Sequence, residues 1–195
     1  MSLEITSANP VVRSVIEGTA PRAAQVAASR GSLPLAQNDL LEILVHFAEG
    51  SDGELKQNAF DALRSQDMAT LGSTLRSAEA APRVLAFFTV NAGLPDAIYE
   101  AVLTNAKTPG FAIETFAGTS PNGQLLELLS LNQQLMIRSP GIIDAILRNP
   151  ARTPEAERRA AEVKREFFEK ERGAEQIANE LRARGNEAAA EFIEQ

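Results

Sequence analysis

From Pro10 to Asn149 the apolar positions recur at intervals of three and four, in runs of about 8 to 13 residues, with no comparable stretch that alternates apolar and polar. Ten segments share the rhythm: PVVRSVIEG, PRAAQVAASRG, NDLLEILVHFAEG, DGELKQNAFDALRS, DMATLGSTLRS, PRVLAFFTVNAG, LPDAIYEAVLTN, PGFAIETFAG, QLLELLSLN and PGIIDAILRN. Each predicts a short amphipathic helix, and together they predict an all-α fold. In the third, Leu40, Leu41, Leu44, Phe47 and Ala48 form one stripe, with Asn38 or Asp39 placed to cap it. The punctuation agrees. Pro21, Pro82, Pro95, Pro109, Pro121, Pro140 and Pro154 stand at or near segment starts, where a missing N–H costs nothing. Gly18, Gly31, Gly50, Gly93 and Gly118 stand where a left-handed residue would close a helix.

Two of these helix ends are nearly the same string. TNAKTPGF (104–111) and RNPARTPEA (148–156) each close an apolar run with Asn and reopen with Thr-Pro. Asn105 and Asn149 are 44 residues apart, Thr108 and Thr153 are 45 apart, and a fainter copy, LRSAEAAPRVL (75–85), precedes the first of them by 27 or 28. A helix of two or three turns cannot bury its stripe alone, so a repeated helix end predicts helices stacked on their neighbours. The repeated Asn and Thr are expected to be helix caps; the alternative is a polar site recurring along one face.

On these residues the chain resembles the HEAT and armadillo-like α-solenoids. LTNAKTPGFAIETFAG and LRNPARTPEA are similar to the turns of the leucine-rich-repeat variant family, where an Asn-Pro-x-Thr-Pro-like turn precedes a helix. Asn149-Pro150 keeps the Asn-Pro pair and Asn105-Ala106 lacks the proline. The resemblance covers residues 75–154 well and 10–65 by helix rhythm only. It implies a right-handed α-solenoid used for protein–protein contact, as an adaptor or regulatory part of a bacterial cytoplasmic protein. The iron–sulfur centre of some bacterial relatives does not carry over, because the chain has no cysteine.

From Pro154 the texture changes. PEAERRAAEVKREFFEKER reads as a longer, charge-laced helix with a thin stripe of Ala156, Ala160, Val163 and Phe167, and with solvated pairs Glu155–Arg159 and Glu166–Lys170. Two short helices hinged at Arg184-Gly185-Asn186 are expected to follow, with Ile177, Leu181, Phe192 and Ile193 facing inward. The organisation expected is therefore a solenoid over 1–153 and a cap or docking element over 154–195, in one continuous domain. Phe167, Phe168, Phe192 and Ile193 are the candidate partner-binding residues, for another protein or a second copy of the chain.

Composition narrows the chemistry. With 195 residues, 44% hydrophobic and 23% charged, the chain has the make-up of an ordinary folded protein. No stretch has the length and apolar character of a membrane span, and MSLEITSANP lacks the features of a secretory signal, so a cytoplasmic protein without membrane contact is expected. A net charge of −7 and no basic run longer than Arg158-Arg159 argue against nucleic acid, including the HEAT-like DNA-repair glycosylases. Glycine-rich phosphate loops are absent, and one histidine with no cysteine leaves no pattern for a transition metal, so neither cofactor nor metal is expected. His46, in ILVHFAEG, is read as a partly packed helix-end residue. The competing enzyme reading requires a cleft that gathers His46 with two or more acidic or hydroxyl side chains.

Overall fold

A computed structural model describes residues 5–169 together with Asn179, Arg182 and Ala183. Among the described residues the regular elements are all helical, as expected. They run α1 (Pro10–Ile16), α2 (Arg22–Ser29), α3 (Gln37–Glu49), α4 (Gly53–Arg64), α5 (Met68–Arg76), α6 (Pro82–Val90), α7 (Asp96–Thr104), α8 (Gly110–Thr119), α9 (Gly123–Ser130), α10 (Gln133–Arg138), α11 (Gly141–Arg148) and α12 (Pro154–Val163), then a π-helical segment, Lys164–Glu169. Of these, α10 was not anticipated. Its six residues are too few to display a period, and it forms because Asn132 caps it through the amide of Leu135 while Leu135 and Met136 are buried.

The chain divides into two compact units, Met1–Ile113 and Glu114–Gln195. In the first, α3 is the central element, packed by α1, α2, α4 and α6, while α5 and α6 both pack on α7. This corrects the one-stripe reading of α3. Leu41, Ile43, Leu44 and Val45 are all sealed from solvent and Leu40 is not, because a helix enclosed on several sides is apolar nearly all round. Nor do Asn38 and Asp39 cap it. The helix begins two or three residues earlier, from an extended Ala36 without a side-chain cap, so both residues fall inside its first turn. Asp52 and Asp67 do cap, holding the amides of Leu55 and Thr70 at the starts of α4 and α5. Arg22 of α2 also grips Asp52 and Glu54, each at 2.6 Å. Arg22 and the Leu55 amide together hold Asp52 below the usual carboxylate range.

In the second unit α12 packs on α9, α10 and α11. Ala156, Ala160 and Val163 of its stripe are buried as anticipated, but Phe167 is 44% exposed. At Lys164 the helix widens from α to π geometry, which changes the angle between successive residues and turns Phe167 out of line. Among the glycines, Gly18, Gly31 and Gly93 adopt positive φ, whereas Gly50 is an extended cap and Gly118 lies inside α8. At Gly118 the helix simply runs on, and Ser120 takes over the turn. Most of the helical pair expected after Gly173, with its hinge at Arg184-Gly185-Asn186, lies outside the described residues, as do Ile177, Leu181 and Lys170.

The repeated strings form one repeated turn. Asn105 and Asn149 are C-caps of α7 and α11, with (φ, ψ) of (−76°, 122°) and (−73°, 122°). Each Oδ1 accepts the amide two residues on, from Lys107 at 2.9 Å and from Ala151 at 2.8 Å. Ser77, in the fainter copy, does the same with its hydroxyl toward the amide of Glu79. The Nδ2 groups reach further. Asn105 donates to the carbonyls of Leu75 and Ser77 at the end of α5, at 2.8 and 3.0 Å. Asn149 donates to those of Ala117 and Ser120 at the end of α8, at 2.7 and 2.9 Å. A helix end has carbonyls without intrahelical partners, and each Asn supplies them from another helix. The Asn side chains are thus clamps between helix ends as well as caps. The Thr hydroxyls donate to different partners: Thr153, which caps α12 through the amide of Ala156, donates to Glu127, while Thr108 donates back to the Val102 carbonyl of α7.

Candidate functional site

The polar groups that meet at His46 come from two helices. His46 and Glu49 lie in the last turn of α3, and Arg83 follows Pro82 in the first turn of α6, which packs on α3. Arg83 Nε donates to Glu49 Oε2 at 2.7 Å, and Arg83 Nη1 lies 3.3 Å from His46 Nδ1. Both charges sit at the unfavourable end of their own helix, the carboxylate near a C-terminus and the guanidinium near an N-terminus, and each neutralises the other. His46 is half-buried, with its ring edge-on to Phe47 at 5.4 Å between centroids.

A guanidinium only donates, so Nδ1 of His46 must accept, and the neutral ring carries its proton on Nε2. Burial, and secondarily the positive charge of Arg83, push the His46 pKa below its ordinary value, with Glu49 acting in the opposite direction. The chemistry available is that of a neutral imidazole whose one basic nitrogen is already engaged. Among the described residues, His46 meets one guanidinium and, through it, one carboxylate. Sequence reasoning placed His46 correctly as a packed helix-end residue and missed Arg83, which lies 37 positions away without a local signal.

A second polar cluster was missed altogether. Glu42 is only 3% exposed in the middle of α3, and its two carboxylate oxygens accept the amides of Thr6 and Ser7 at 2.6 and 3.0 Å. Asp39 accepts the Ser7 hydroxyl at 2.6 Å and the Asn9 amide side chain at 3.2 Å, and Arg13 Nε reaches the Ser7 carbonyl at 3.1 Å. The carboxylates thereby strap residues 6–9 onto α3. The available signal was an acidic residue inside the apolar run LLEILV. A buried charge must be met by donors, and here backbone amides meet it.

Of the candidate partner-binding residues, Phe167 is exposed at the π-helical segment, while the side chain of Phe168 and the whole of Phe192 and Ile193 lie outside the described residues. The recurrent Asn residues spend their side chains on backbone groups, as the capping reading expects and a polar binding face would not. Among the described residues no group of three His, Asp or Glu is placed to hold a metal ion, and no helix is long and apolar enough to cross a membrane. Comparison with known protein families, characterised proteins and solved structures finds no match to this chain.

Proposed function

We infer that the chain is a non-catalytic helical scaffold that mediates protein–protein contact, as an adaptor or regulatory module. The observation that carries this reading is the Asn clamp, which occurs once in each unit and ties a helix end to one near it in chain order. The helix packing supports it as well, since the principal pairs are separated by at most three places in chain order. Such near-neighbour packing is how repeat proteins build extended binding surfaces, and the finer reading is a right-handed α-solenoid of HEAT-like or leucine-rich-repeat-variant-like units. The contact residues proposed are Phe167, Phe168, Phe192 and Ile193, with a protein or a second copy of the chain as occupant.

The test combines light scattering of the purified chain with affinity capture from its native host, using the intact chain and Phe167→Asp. The reading expects a stoichiometric partner, or self-association, that the variant loses while its circular dichroism is unchanged. A monomer that retains no protein, or a partner held equally by both forms, overturns it. Small-angle scattering tests the solenoid separately: an elongated particle is expected, and a compact one contradicts it.

A further inference from the structure

We propose that His46, Arg83 and Glu49 form an acid-released latch that holds the first turn of α6 against the last turn of α3. The geometry has one weak point. Arg83 bridges two groups of α3, and its bond to Nδ1 of His46 exists only while that nitrogen is unprotonated. Protonation turns the acceptor into a donor and sets two cations against each other at 3.3 Å.

Of the helices packed on α3, α6 contributes the charge that acts on His46, through Arg83; Glu49 acts from α3 itself. Glu49 and the negative end of the α3 dipole favour the proton, whereas burial and Arg83 oppose it and prevail. The closed latch therefore binds the proton less readily than an open one. Closure is fully supported above the ordinary histidine pKa of about 6.5, weakens as pH falls from there to the depressed value, and levels off below it. What is loosened is the attachment of α6, which carries Val84, Leu85, Phe87 and Phe88 into the core, with Phe87 tilted against Phe60 of α4 at 6.4 Å. At neutral pH the latch secures that apolar surface, and acid raises the frequency with which it opens.

His46 is the single histidine of the chain, so its ring signal in a proton NMR titration is free of overlap. The midpoint is expected below about 6.5, and amide-exchange protection of Leu85, Ala86 and Phe87 is expected to fall about tenfold per unit of that depression between pH 7.5 and 5. His46→Gln, which keeps an acceptor that does not titrate, should make protection in α6 independent of pH over this range. A midpoint at or above 6.5, or an unchanged fall in protection in the variant, overturns the latch. Should His46→Gln fail to fold, Arg83→Gln decides: the His46 midpoint must rise, and one that stays where it was overturns the proposal.

Discussion

Asn105 and Asn149 make the same three kinds of hydrogen bond from the same backbone conformation, yet Asn105 is partly open to solvent and Asn149 is 3% exposed. The turns around them explain the difference. Lys107, before the Thr-Pro of the first copy, is exposed, whereas its counterpart Arg152 folds back, donating to the Asn149 carbonyl at 3.0 Å and to Glu157 at 3.1 Å. One of the two acceptors differs in the same sense, while Leu75 is sealed like both acceptors of Asn149. Ser77 is partly exposed, while Ala117 and Ser120 are buried. A hydrogen bond is worth most where water cannot replace it, so one device repeated along a chain can matter greatly in one copy and modestly in the other.

The largest effect is expected from Asn149→Ala. It leaves the carbonyls of Ala117 and Ser120 without this partner where water is shut out, and the amide of the partly open Ala151 as well, at a cost of about 3 kcal/mol in chemical unfolding. Next is Gly123→Ala, which sharpens the comparison because it attacks the same turn from the other side. A Cβ at Gly123 would stand 2.5 Å from the Ala151 carbonyl oxygen, so the clamped turn must shift, and a loss of about 2 kcal/mol is expected by thermal or urea unfolding. The smallest is Asn105→Ala, near 1 kcal/mol, because Ser77 and Lys107, two of the three residues it abandons, are open to water and only Leu75 is sealed. Equal costs for the two Asn variants would break the comparison.

Much of the helix order was legible because it is written locally. Asp52, Asp67 and Thr153 accept amides three residues on, and Pro10, Pro82 and Pro154 open their helices at the first turn, where the missing amide is harmless. The existence of the Asn repeat was equally visible. Its partners were not, because the acceptors of Asn105 and Asn149 lie about 30 residues back and are backbone carbonyls, which carry no residue signature. The same holds for Arg83 at His46 and for Thr6 and Ser7 at Glu42, where the pairing is made by helix packing. The departure of Phe167 from the buried stripe of α12 was hidden for another reason. A period of 3.6 extrapolated through Lys164 assumes a helix that does not widen, and here it does.

The clamp is the claim on which the reading of the fold rests, and Asn149→Asp tests it most directly. The carboxylate preserves size and can still accept the Ala151 amide, but it cannot donate to Ala117 and Ser120 and places a negative charge against their carbonyls. Measured by urea unfolding at pH 7, the variant should lose at least as much stability as Asn149→Ala, about 3 kcal/mol. Stability within about 0.5 kcal/mol of the parent, the range of an inconsequential surface change, would contradict the clamp.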